Sequence, residues 1–172
     1  MKPISKYEIQ FSGLPLGIHD FEWDLESVFF DERESVEIEG ARLKAVVTLT
    51  KETRVMILQF IITGELKTIC DHCGDELWID IQTENELHVR FSDETDLSGD
   101  EVIYLGTHEY KIDISQYLYE FAFLGLPVKK LHQPGECNPE VERYFELEEG
   151  DKKKEKEKDP RWEALEKLKN KV

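Results

Sequence analysis

The sequence predicts an α+β fold: a β-rich antiparallel body with one main helix, then a flexible charged linker and a C-terminal amphipathic helix. Three observations carry this reading. Long runs between residues 7 and 92 alternate apolar and polar side chains, the two-residue period of half-buried strands. One segment, ISQYLYEFAFLG at 114–125, switches to helical spacing. From residue 146 the chain turns densely charged and poor in apolar groups before a last helical pattern. At 172 residues the chain is long enough to bury a core and to carry an appendage.

Taken in order, YEIQF (7–11) alternates, and HDFEWDL (19–25) places Phe21, Trp23 and Leu25 on one face. After the short FFDERE segment, VEIEG (36–40), RLKAVVTLT (42–50) and RVMILQFIITGEL (54–66) are rich in β-branched and aromatic residues, as strands are. LTKETR reads as the hairpin connection between the last two. ELWIDIQTENELHVRFS (76–92) alternates over its whole length. DETDLSGDE (93–101) is an acidic loop, and VIYL (102–105) and EYKID (109–113) are short strands around a GTH turn. In the helix, Ile114, Tyr117, Leu118, Phe121 and Leu124 form a stripe whose role is core packing. Asp113 or Ser115 caps its start, and Gly125 with Pro127 ends it.

Residues 126–145 read as a loop punctuated by proline and glycine, and they complete a body spanning 1–145. Residues 146–158 are the linker. Residues 159–172 form the terminal helix: Asp159 is its N-cap, Pro160 its first residue, and Trp162, Leu165 and Leu168 share a face.

The net charge is −16. Residues 151–172 carry nine Lys or Arg against six Asp or Glu, which leaves 13 basic and 32 acidic groups, or −19, on the first 150 residues. Such a body repels phosphate backbones, so direct RNA contact is disfavoured. It attracts a basic partner, or serves solubility alone. The longest apolar run, VMILQFII at 55–62, is too short to span a bilayer, and the N-terminus lacks a signal peptide's apolar stretch. The expectation is a soluble, cytoplasmic, acidic protein with no membrane partner.

The chemistry concentrates in ICDHCGDEL (69–77), a C-x₂-C turn between two long strands. Only one other cysteine exists, Cys137, five residues after His132. Cys70, Cys73, His132 and Cys137 together make a Cys₃His set, a normal structural zinc complement, and predict one structural zinc ion. His72, inside the knuckle, is the second choice for the fourth ligand. The competing possibility is three reduced thiols with no metal. A redox use is weaker: Asp71, Asp75 and Glu76 crowd the pair with negative charge, which disfavours the thiolate. No phosphate-binding, dinucleotide or nucleophile-elbow motif occurs, and no catalytic arrangement stands out.

Several segments taken in order resemble a known family. They are GLPLGIHDFEWDLESVFF (13–30), the C-x₂-C between long strands, IDISQYLYEFAFLGLP (112–127), a His and a Cys in the next loop, and the closing DPRWEALEKLKN (159–170). The resemblance is to the YceD family, the large ribosomal RNA subunit accumulation proteins, over nearly the whole chain. It implies a non-enzymatic role in large ribosomal subunit biogenesis, with subunit precursors or a basic ribosomal protein as partner. Cys70 and Cys73 match the family's first cysteine pair, and His132 and Cys137 fall where many members have a second cysteine pair or a His and a Cys. Asp159, Pro160, Arg161, Trp162, Leu165 and Leu168 match its closing motif, which reads as a docking peptide or as a cap on the chain's own body. The chain departs from the family in having only three cysteines and in the long charged linker. A zinc-knuckle RNA-binding module is the alternative function, and a thiol oxidoreductase a weaker one.

Overall fold

The computed structural model describes residues 6–33, 37–92 and 102–152, the last seven of these through their backbone alone. The chain divides into two compact units, Met1–Leu131 and His132–Val172.

The first unit is built on a five-stranded sheet. β2 (Gly17–Glu26), β3 (Gly40–Lys51), β4 (Val55–Ile69) and β5 (Glu76–Phe91) pair as consecutive antiparallel neighbours, and β6 (Val102–Leu105) closes the order β2-β3-β4-β5-β6. β1 (Glu8–Ile9) forms a separate two-stranded ladder with β7 (Ile112–Asp113). Strict alternation in β3 and β4 buries Leu43, Ala45, Val47 and Leu49 beside Met56, Leu58, Phe60 and Ile62. At this length a two-residue period can satisfy only one register, because a slip of one residue would turn every apolar group outward.

Helix α1 (Ser27–Asp31) follows β2 and buries Phe29 and Phe30. The Arg33 guanidinium lies 4.1 Å from the centre of the Phe29 ring. Helix α2 (Ser115–Leu124) packs on the same face of the sheet, where Phe121 meets Phe60 edge-on at 5.0 Å. Lys51 ties the N-terminal loop to the end of β3 by donating to the carbonyls of Phe11 and Leu14 at 2.8 and 2.7 Å. Gly64, midway along β4, has φ +134°, and a Cβ there would sit 2.2 Å from the Arg42 carbonyl oxygen. Only glycine lets β3 and β4 approach at this point.

Several details depart from the sequence reading. The sheet is not wholly antiparallel, since β6 runs parallel to β5 with His88↔Val102 in register. The return needed is small: it spans the three residues from Phe91 back to His88, about 10 Å of strand. Of VEIEG, residues 37–39 are not strand, and Gly40 opens β3. Ile38 is buried by packing, and one bond, Glu39 N–H to the Lys67 carbonyl at 2.8 Å, extends the ladder. YEIQF reduces to two paired residues. On α2 the fully buried stripe is Ile114, Leu118 and Ala122, while Leu124 is 70 % exposed. At 3.6 residues per turn Leu124 points about 120° away from Leu118.

In the second unit, helix α3 (Pro139–Lys152) occupies residues expected to be loop and the start of the linker. Asn138 caps it, its Oδ1 accepting from the Glu140 N–H at 3.1 Å, with Pro139 as first residue and Glu140 and Glu142 in the first turn. Those are strong local start signals. The rest of the expected linker and the closing helix at 159–172, including Asp159, Pro160, Arg161, Trp162, Leu165 and Leu168, lie outside the described residues.

Candidate metal centre

The knuckle is a product of the β4–β5 hairpin. Ile69 pairs with Glu76, and the Cys70 N–H then donates to the Asp75 carbonyl at 2.8 Å, so the ladder holds both ends of the turn. The Gly74 N–H closes it by donating to the Cys70 carbonyl at 3.0 Å. Cys70 continues the inward face of β4 after Leu66 and Thr68 and is buried, while Cys73 is half-buried.

Two groups outside the predicted ligand set organise the turn. The Asp71 N–H donates to the Lys130 carbonyl at 2.7 Å, and the Lys130 N–H donates back to Asp71 Oδ2 at 2.7 Å. The Lys130 ammonium also reaches Glu37 at 3.1 Å and lies 3.9 Å from Asp71 Oδ1. Asp71 therefore anchors a chain segment, a role its negative charge alone did not suggest. The only trace in the sequence is the Lys-Lys pair just ahead of His132.

His132 follows two residues after Lys130. Its Nδ1 lies 3.8 Å from the Cys137 Sγ. Between them, Gln133-Pro134-Gly135-Glu136 forms a tight turn in which the Glu136 N–H donates to the Gln133 carbonyl at 3.0 Å. Proline at the second position and Gly135, at φ +88°, at the third are the residues a type II turn requires.

The ligand atoms of Cys70, Cys73, His132 and Cys137 all lie within 4.8 Å of one another, and no disulfide joins the thiols. Zinc–sulfur bonds near 2.3 Å and zinc–nitrogen bonds near 2.0 Å place tetrahedral ligand atoms roughly 3.5–3.8 Å apart. The donor set and its spacing fit that ion after a contraction of about 1 Å. His72 is exposed on the turn and is not a member of the group. Four protein donors would fill the tetrahedral shell of an ion held here, as in structural zinc sites.

A family model described as the large ribosomal RNA subunit accumulation protein YceD matches residues 58–169. The chain belongs to the YceD family. The match begins inside β4, so it takes in the knuckle, α2, His132 and Cys137, and the closing motif, but not the GLPLGIHDFEWDLESVFF segment. That is narrower than the near-complete resemblance the sequence suggested. No curated protein and no solved structure matches the chain significantly. The YceD family name ties its members to the accumulation of large-subunit ribosomal RNA. No helix among the described residues is long and apolar enough to cross a membrane.

Proposed function

We propose that this YceD-family protein is a non-enzymatic factor in large ribosomal subunit biogenesis. It acts in the cytoplasm and promotes ribosomal RNA accumulation through contacts with a basic ribosomal protein or a precursor particle. The observation that carries the reading is the family match over residues 58–169. The charge balance supports a protein rather than a nucleic acid as the direct contact, since 38 acidic residues face 22 basic ones. One zinc ion, held by Cys70, Cys73, His132 and Cys137, would act as a staple. It would supply no reaction chemistry, only a closed loop between the hairpin turn and the segment beyond Lys130. The closing sequence Asp159-Pro160-Arg161-Trp162, with Leu165 and Leu168, supplies a second contact: Trp and Arg are common hot-spot residues, and the leucines give an apolar anchor.

The test is sedimentation of cell lysate at low magnesium with the protein followed by immunoblot, alongside the subunit ratio in a deletion strain. Co-migration with large-subunit precursors and a fall in large-subunit RNA are expected. An unchanged subunit ratio, with the protein only at the top of the gradient, would sink the reading. Removal of 159–172 separates docking from capping: an unchanged thermal midpoint with lost co-migration assigns the segment to the partner.

A further inference from the structure

The β2–β5 sheet has a second face that α1 and α2 do not cover, and its register sorts the side chains by strand. One row across it reads Glu22, Val46, Ile61, Glu84; the rows on either side read Asp20, Thr48, Gln59, Glu86 and Asp24, Lys44, Thr63, Gln82. Carboxylates therefore line the two outer strands, while the two central strands supply an apolar and neutral floor with one lysine. Ile61, at the middle of that floor, is 44 % exposed. A second apolar position, Ile57, lies on the same floor one row beyond Gln59.

Three cations on this face are already paired, and Arg90 lies beyond them near the end of β5. Lys44 bonds Glu22 at 2.7 Å, Arg42 reaches Glu65 at 3.6 Å and lies over the Trp78 ring at 4.3 Å, and Lys67 bonds Glu76 at 2.6 Å. Asp20, Asp24, Glu84 and Glu86 keep the rails negative. The rails run along strands three ladder spacings apart, about 14 Å. An α-helix with its side chains is about 10–12 Å across.

We propose that this face is a docking surface for a basic amphipathic helix of a partner protein. The helix lays its apolar stripe on Val46 and Ile61 and reaches the rails of β2 and β5 with Lys and Arg on either side. Charge complementarity selects the occupant: a phosphate backbone would meet two lines of carboxylates, whereas a cationic helix meets one on each flank. The inference deepens the reading of a basic partner and rests on it only for the partner's place in the cell. The surface itself follows from register and charge.

The experiment is titration of the isotope-labelled full chain with a synthetic 18-residue helix of leucine on one face and lysine on the other, in about 0.15 M salt. Amide shifts are expected to centre on Val46 and Ile61. Ile61→Lys, and separately the pair Asp20→Lys with Glu84→Lys, should each weaken binding roughly tenfold or more. The equal charge change Glu109→Lys with Glu120→Lys, placed elsewhere on the chain, should leave it within about twofold. Unchanged thermal midpoints confirm that each variant folds. Equal losses in both charge-reversed pairs would reduce the effect to overall charge and overturn the proposal. So would a 12-nucleotide single strand that binds this face more tightly than the peptide. A roughly tenfold gain in peptide affinity on removing residues 153–172 would assign the face to the chain's own tail and overturn it as well. The measurement contains no ribosomal component, so its failure leaves the sedimentation result standing, and the reverse.

Discussion

The two faces of the β2–β5 sheet come from the same strands and alternate residue by residue, yet they obey different physics. One face meets α1 and α2 and is closed by Phe60, Leu58 and Ile62, all fully buried. The other meets water with carboxylates on its outer strands and Ile61 between them. On the first face a side chain matters by its volume, and on the second by its charge and by what it leaves uncovered. Stability should therefore be concentrated on one side of the sheet and recognition on the other.

The sharpest way to break this contrast is to cut into the covered face. Phe60→Ala removes the ring that meets Phe121 and should cost about 3–5 kcal/mol in urea unfolding. A loss under about 1 kcal/mol would mean that α2 is not held by this contact. Metal removal comes next. Cys70→Ser, or chelation of the zinc-loaded protein, should lower stability by up to about 4 kcal/mol, the chain-entropy value for a loop of roughly 60 residues. Far-ultraviolet circular dichroism should keep its strand signal, since the sheet core contains no metal ligand other than Cys70. Collapse of that signal would make the knuckle part of the core rather than a staple. Asp71→Ala removes the acceptor of the Lys130 N–H and should cost about 1–2 kcal/mol, with zinc affinity, read by competition with a chelator, falling about tenfold or more.

On the open face, Ile61→Ala should change stability by about 0.5 kcal/mol or less while still weakening the peptide contact. A large stability loss there would erase the distinction between the faces. The smallest effect is a pH dependence remote from both. A hydrogen bond to Glu8 raises the Lys111 ammonium above the usual lysine range. A raised folded-state value means that the charged pair's contribution is complete at neutral pH and disappears as pH climbs through that raised value. Lys111→Met should flatten any alkaline loss of stability tied to the β1–β7 ladder, measured as the thermal midpoint against pH.

The long strands were legible because alternation over twelve to sixteen residues admits only one orientation. The clustering of Cys70, Cys73, His132 and Cys137 was legible because cysteine is scarce here and its spacing is specific. Periodicity reports which way a side chain faces but not which strand lies beside it. That is why the parallel β6 and the acidic rails emerged only with the register. VEIEG misled because Ile38 is buried without belonging to a strand. Residues 139–145 misled because proline and glycine punctuation reads as loop, and 146–152 because charge density reads as solvated chain. There the Asn138 cap, Pro139 and the glutamates of the first turn favour helix locally, whatever the mean hydropathy.

The consecutive pairing of β2 through β5 also sets an order in time. Each hairpin can close as soon as its second strand has been made, so Cys70 and Cys73 are brought together while the rest of the chain is still being synthesised. Cys137 comes 64 residues after Cys73, which at 5–20 residues per second is a delay of roughly 3–13 s. For that interval the nascent chain presents two adjacent thiols without the histidine and the third sulfur that complete their set. The cluster of four potential ligands can be complete only once the segment anchored through Asp71 and Lys130 has been followed by His132 and Cys137.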